Sequence, residues 1–277
     1  MRIWQADFYR RPLEDERGQP LWELLVCDQL GDRLLVATCP QSEANSTWLL
    51  NQLKEMFVTD QPDIIQVFRP ACLSLFEVVG KQLGVTVQAT RRTLGLKKLL
   101  AEMMLIYPQM TGYTGQNYDP LAIDKLPPLP LPENLWGDRW RFATLPAGDL
   151  QEVFGDRPIP ILDMPSILLP LNLGLASTVA ISGVVIDGGR QSMGLARWLQ
   201  SVKPVGFNYI PGQPDGLILE AGLSDRWVVA TFDDDDVAQA ARMFETRKRL
   251  AKGLHFLLVQ PDDSGVTYTG FWLLGGE

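Results

Sequence analysis

The sequence predicts an α/β protein of mixed (α+β) sheets, arranged as two units that share a β-β-α-β order. Three observations lead there. Runs with a two-residue apolar period alternate with amphipathic helical runs along the chain. A proline-rich stretch interrupts the middle, with five prolines between Pro120 and Pro132. A heptad also recurs: D-R-L-L-V-A-T at 32–38 and D-R-W-V-V-A-T at 225–231. Each copy precedes a helical run and then an apolar strand closed by proline, Pro70 in one and Pro261 in the other, as a duplicated unit would. The 277 residues suit one large domain or two ordinary ones, and 46% hydrophobic with 21% charged residues is a globular composition.

The elements follow in order. Strands are expected at 2–10, where Trp4, Ala6 and Phe8 alternate with Gln5, Asp7 and Tyr9, and at 21–28 and 33–39. A helix is expected over 42–57, capped by Ser42 or Asn45. Then come a strand at 63–69, a helix over 72–84 ended by Gly84, a strand at 85–90 and a helix over 93–107. Three meandering strands followed by alternating helices and strands give the N-terminal unit a ribonuclease H-like strand order. Proline favours extended backbone, so 119–158 reads as a stiff connection between a domain at 1–118 and another at 159–277. In the C-terminal domain, a strand at 178–189 leads into a helix at 190–202, and strands follow at 205–210, 215–223 and 226–232. The helix over 233–253 starts with four aspartates and ends with Lys252 and Gly253, a polarity that complements the helix dipole. Strands at 254–261 and 267–274 close the chain; the last is apolar on both faces, which places it inside a sheet.

Composition narrows the chemistry. The net charge of −8 and pI near 4.8 argue against a generally basic nucleic-acid coat, although a local basic face is compatible with them. Three cysteines without Cys-x-x-Cys spacing read as reduced thiols of a cytosolic protein, and one histidine, His255, cannot assemble the usual zinc sites or triads. The N-terminus has no apolar core of a signal peptide. The apolar tract 166–186 is broken by Pro170, Asn172, Gly174 and Gly183, and reads as buried strands and turns, not as a membrane span.

Asp7 is the residue to weigh, since strand interiors disfavour aspartate. A carboxylate on the first strand of this layout is where two-metal nucleases place one of their metal ligands. The fourth strand, however, ends Q-V-F-R-P, with Arg69 where such a site needs an acid. Asp7 therefore reads as part of a nuclease-like sheet without nuclease chemistry, with a metal-dependent nuclease kept as an alternative. Glu23 and Asp28 fall on opposite faces of the second strand and read as solvated sheet edges. D-G-G-R-Q-S-M-G at 187–194 lacks the Lys-Ser/Thr of a P-loop and reads as a tight strand-to-helix turn. The candidate contacts to a phosphate backbone are basic clusters: Arg10 and Arg11; Arg91 and Arg92 with Lys97 and Lys98; and Arg247, Arg249 and Lys252.

Three blocks, W-Q-A-D-F-Y-R-R-P-L-E-D-E-R-G-Q-P-L-W-E-L-L-V-C-D at 4–28, D-G-L-I-L-E-A-G-L-S-D-R-W-V-V-A-T at 215–231 and A-K-G-L-H-F-L-L-V-Q-P-D-D-S-G-V-T-Y-T-G-F-W-L-L at 251–274, resemble the Tab-like (ATAB-type) family of RNA-binding proteins from cyanobacteria and plastids. The resemblance implies a non-enzymatic factor that binds A/U-rich single-stranded RNA in an mRNA 5′ untranslated region. It implies support for translation of the photosystem I reaction-centre mRNA and for photosystem biogenesis. Ribosomes or photosystem assembly factors are the protein partners it suggests, and the cytoplasm or the periphery of thylakoid membranes the location. It brings no catalytic residue, metal or cofactor. A protein scaffold for photosystem assembly is the other alternative.

Overall fold

The computed structural model describes residues 1–58 and 60–275. The chain divides into two compact units, 1–124 and 125–277.

Unit 1 carries β1 (Ile3–Glu14), β2 (Pro20–Cys27), β3 (Arg33–Pro40), α1 (Ser46–Phe57), β4 (Ile64–Val67), α2 (Pro70–Leu83), β5 (Thr86–Ala89) and α3 (Leu94–Ile106). Its sheet runs β3-β2-β1-β4-β5, with β1, β2 and β3 antiparallel and β4 and β5 parallel to β1. The local reasons are ordinary ones. Asn45 caps α1 by accepting from Thr47 and Trp48 N–H, each at 3.0 Å, which decides between the two expected caps. Gly84 closes α2 at φ +70°, where a Cβ would strain the backbone. Trp4, Ala6 and Phe8 pack under α1 and α2 with Leu49, Leu53 and Phe76. On the opposite face α3 buries Leu96, Leu99, Leu100 and Met103 against Leu25, Cys27 and Phe68. The central strands are thus covered on both sides, and what points towards α3 includes polar groups. Gln5, Gln66 and Gln88 stand in register on β1, β4 and β5. Their amides form a ladder at 3.0 and 2.9 Å, and Gln5 Oε1 accepts from Leu96 N–H at 2.9 Å.

Unit 2 carries β6 (Leu129–Pro130), β7 (Arg139–Pro146), β8 (Ile161–Asp163), β9 (Ala180–Asp187), α4 (Ser192–Val202), β10 (Pro204–Ile210), β11 (Asp215–Ala221), β12 (Asp225–Phe232), α5 (Asp235–Leu250), β13 (His255–Gln260) and β14 (Gly270–Leu274). It has two sheets, β10-β11-β12-β6 and β7-β9-β13-β14-β8. One core gathers Phe207, Leu217 and Leu219 from the first sheet, Val184, Leu257 and Trp272 from the second, and Leu195 and Phe244 from α4 and α5. Strand β14 is internal and wholly buried, as its two-faced apolarity requires. Asp234 caps α5 by accepting from Asp236 and Val237 N–H, so the aspartate run is a helix start. The glycine turn after β9 spends its amides on carbonyls, Gly188 N–H on Gln260 and Gly189 N–H on Pro261. Among the described residues, no helix is long and apolar enough to cross a membrane.

Three expectations need correction. Residues 125–158 are built into unit 2 and do not form a free connection: β6 pairs with β12, β7 pairs with β9 along its whole length, and Leu131 and Leu135 enter the core. Proline hides this because it is tolerated on an edge strand such as β6. The repeat holds through the antiparallel meanders β1-β2-β3 and β10-β11-β12 and the helices after them, then diverges. Strand β4 returns beside β1 in the same sheet, whereas β13 pairs with β9 in the other sheet. Glu23 is no solvated edge. It is fully buried, because β2 lies inside its sheet and α3 ends over it.

Candidate nucleic-acid interface

Asp7 sits mid-β1 with no exposure, and its carboxylate is gripped from two directions. Arg11, four residues along the same face, donates from Nη2 to Asp7 Oδ2 at 3.0 Å. Arg69, two residues beyond β4, donates from Nε to Oδ1 at 2.9 Å and from Nη2 to Oδ2 at 3.3 Å. The arginine that stands where a two-metal site needs an acid is thus the direct partner of Asp7.

The remaining donors are also satisfied. Arg11 Nε donates to Glu23 Oε1 at 3.0 Å, and Nη1 to the Tyr118 hydroxyl at 2.7 Å. Arg69 Nη1 donates to the carbonyl of Ala122 at 2.9 Å, and Nη2 to that of Pro120 at 2.6 Å. Tyr107 O–H donates to Glu23 Oε1 at 2.6 Å. Burial alone would depress both arginines, but Asp7 together with Tyr118 and, at Arg11, Tyr107 and Glu23 outweighs it, and their pKa values rise. Tyr107 is pushed up, first by burial, and so is Tyr118. The Cys72 thiol, 3.8 Å from Asp7 Oδ1, is pushed up to about 12 by burial and by that carboxylate. Arg69 also lies over the Tyr9 ring, 4.1 Å from its centroid. Above the centre a cleft of about 210 Å³ opens, lined by Tyr9, Arg10, Arg69, Tyr118 and Asp124 among others.

Chemically, this centre is a buried ion-pair network in which Arg11 and Tyr107 share Glu23 Oε1, and Glu23 Oε2 is buried without a hydrogen-bond partner among the described residues. Both oxygens of Asp7 carry guanidinium donors, so a cation would have to displace them. No group of three His, Cys, Asp or Glu side chains gathers as a metal cluster among the described residues.

The basic candidates separate by burial. Arg11 and Arg91 lie inside the fold and are not surface contacts for a phosphate chain. Arg10 and Lys98 are exposed, and Arg92 and Lys97 are half-buried. On α5, Arg249 and the adjoining Lys252 are exposed and Arg247 is half-buried. Arg247 donates to the Thr144 hydroxyl at 2.8 Å, and Lys252 to the Leu173 carbonyl at 2.7 Å. These are single neutral acceptors on chain segments remote in sequence, and they aim the heads without neutralising them.

Sequence reading missed a second carboxylate centre. Asp187, at the end of β9, accepts from Arg139 Nε at 2.6 Å, from Arg141 Nη1 at 2.9 and 2.8 Å, and from Gln260 Nε2 at 2.8 Å. Burial would raise its pKa, but the hydrogen bonds from Arg139, Arg141 and Gln260 win and hold it low. The available signal was Arg-Trp-Arg, two cations on one face of a strand.

A family model described as "RNA-binding protein Tab2/Atab2 N terminal" matches residues 3–103, and one described as "RNA-binding protein Tab2/Atab2, C-terminal domain" matches 118–275. The chain belongs to the Tab2/Atab2 family of RNA-binding proteins. A "Protein TAB2 homolog, chloroplastic" of Zea mays is 31% identical over 288 residues, covering 99% of this chain and 71% of that protein. Its Arabidopsis thaliana counterpart is 29% identical over 284 residues, covering 99% and 74%. Among solved structures, the HTLV-2 integrase catalytic core domain in complex with magnesium (dimeric form) is 18% identical, covers 38% of this chain and 70% of that chain, and has a TM-score of 0.25. In this Tab2/Atab2 chain, residues 118–124 belong to the stretch matched by the C-terminal model, yet they complete the arginine centre of unit 1.

Proposed function

We propose that this Tab2/Atab2 protein is a non-enzymatic factor that binds A/U-rich single-stranded RNA, in an mRNA 5′ untranslated region, and supports translation of the photosystem I reaction-centre mRNA and photosystem biogenesis. Its RNA-binding family is the ground for the first half of this reading, and the chloroplastic TAB2 homologues are the ground for a photosynthetic setting. The contacts proposed for the RNA backbone are Arg10, Arg92, Lys97 and Lys98 on unit 1 and Arg247, Arg249 and Lys252 on unit 2. Ribosomes or photosystem assembly factors are the proposed protein partners, in the cytoplasm or at the thylakoid periphery.

One observation carries the non-enzymatic half. The Asp7 carboxylate on the first strand, the candidate metal ligand, has both oxygens occupied by Arg11 and Arg69. Phosphoryl transfer of that kind needs open carboxylate oxygens for its cations.

The test combines binding and cleavage. Labelled A/U-rich RNA should bind with an affinity that falls with salt, at a log–log slope of about −0.7 per phosphate contact. Lys98→Glu together with Arg249→Glu should weaken binding and flatten that slope. The RNA should stay intact with magnesium or manganese; cleavage that vanishes in Asp7→Asn would reinstate the nuclease. Binding that ignores salt and both reversals would remove the proposed contacts.

A further inference from the structure

Unit 2 holds a cavity of about 480 Å³ beside the Asp187 centre, with which it shares Arg139, a guanidinium paired to Asp187 and Asp263. It opens between the edge pair β6–β12 and the strands β7–β9, and Leu131, Leu135, Ile186 and Leu195 give it an apolar floor. The volume falls in the range of roughly 300–1,000 Å³ typical of small-molecule sites. Three features show what it suits.

The first is Trp136, which lines the cavity while 60% exposed. Its Nε1–H donates to the Leu131 carbonyl at 2.9 Å, so the indole is fixed in orientation with much of its surface bare. A rigid, solvated aromatic ring is costly to maintain in water and ready to stack. The second is Trp140, a half-buried lining residue braced by Phe142 and Phe232 at ring distances of 5.3 and 5.6 Å. The third is the polar rim: the exposed carboxylate of Asp138, the Thr231 hydroxyl, and the Arg139 guanidinium, whose side chain is 56% exposed. Gly137 allows this arrangement, because a Cβ there would come within 2.6 Å of Ile186 Cγ2 and 2.8 Å of the Asp187 carbonyl. The chain can therefore lie flat on β9 and present Trp136 and Asp138 from either side of the glycine.

We propose that this cavity takes one unpaired adenine of the A/U-rich RNA, stacked on Trp136, with its exocyclic amino group donating to Asp138. The inference rests on the RNA-binding reading and specifies where a base, as distinct from the backbone, is held. A purely apolar occupant would bury the Asp138 carboxylate without a donor, which is unfavourable. The adenine amino group supplies that donor, and its two-ring face covers more of the Trp136 indole than a pyrimidine does. Stacking on Trp136 contributes most of the affinity and the preference for the larger purine face, and Asp138 orients the amino edge.

The experiment measures binding of fluorescent oligo(A), oligo(C) and oligo(U) to the full chain over a range of salt. Wild type should favour oligo(A) over oligo(C) and oligo(U). Trp136→Ala should weaken binding about tenfold, with the salt slope unchanged because no phosphate contact is lost. Trp136→Phe should recover much of the affinity, and Asp138→Ala should narrow the preference for oligo(A). If Trp136→Ala binds as wild type does while Lys98→Glu with Arg249→Glu still weakens binding, the base site is wrong and the RNA reading stands. If wild type binds none of the three even at low salt, both fall. Photocrosslinking of an azidoadenine oligonucleotide to wild type needs no variant: adducts within 129–141 support the site, and adducts confined to other peptides overturn it.

Discussion

Unit 1 and unit 2 each contain a strand aspartate held by two arginines, and the two centres differ in how much water reaches them. Asp7 lies on β1, a central strand with neighbours on both sides and helices on both faces. Its partners Arg11 and Arg69 are 0% and 4% exposed. Asp187 is itself buried, but its arginines come from β7, the edge of its sheet, and Arg139 and Arg141 remain 56% and 42% exposed. In register Arg139 stands opposite Asp187. The chemistry is alike and the energetics are not. A desolvated guanidinium tolerates no missing acceptor, so every nitrogen of Arg11 and Arg69 is paired. A guanidinium with one side in water can change partners at little cost. Strand position within the sheet therefore decides which centre is a structural lock and which is an adjustable surface.

Three experiments press on that difference. The largest effect is expected from Asp7→Ala, which strands two buried cations and should cost unit 1 about 3–5 kcal/mol in denaturant unfolding. All three cysteines lie in unit 1 and are buried, with Cys27 and Cys72 pushed up to about 12 and Cys39 to about 11, chiefly by burial. Alkylation at neutral pH should be slow in wild type and faster in the variant, which tells loss of unit 1 from loss of unit 2. A cost below about 1 kcal/mol would mean that the lock is not one.

Next in size is an acid sensitivity confined to unit 2, which holds the single histidine. His255 is buried, and its Nε2 accepts from Phe207 N–H at 2.9 Å. Burial, with Lys248 nearby, lowers its pKa to about 3. Between that value and the ordinary 6.5 the unfolded chain binds a proton that the folded one refuses. Its contribution is thus complete above about pH 6.5 and is lost as pH falls towards 3. Unit 2 should lose about 3 kcal/mol by pH 4, and His255→Gln should flatten the slope of melting temperature against pH. A slope unchanged in His255→Gln would assign the acid loss to other groups.

The smallest effect should come from Arg139→Ala or Arg141→Ala, each within about 1 kcal/mol of wild type by denaturant unfolding. A loss matching that of Asp7→Ala would erase the distinction between the centres.

Much of this architecture was legible in the sequence. Two-residue alternation located β1 to β5, and Asn45, Gly84 and the aspartates before α5 marked helix ends, because caps and alternation are local. The sites were harder to read, since they are made by pairing across distance. Asp7 meets Arg69 from 62 residues away. Glu23 looked solvated because alternation assigns a residue to a face and does not say which helix covers that face. Arg11 and Arg91 looked like surface cations for the same reason. β7 escaped because it follows prolines that suggested a linker, whereas its pairing partner β9 lies far along the chain.

The carbonyls of Pro120 and Ala122 on Arg69 bear on how the protein is made. As the chain emerges during synthesis, residues 1–106 can lay down the sheet and helices of unit 1, but the last acceptors for its buried guanidinium groups arrive only with 118–122. Nascent unit 1 therefore waits, incompletely satisfied, for a few late residues. A recombinant fragment meant to stand alone should run to Asp124, since one cut at 103 or 118 discards the groups that close the lock.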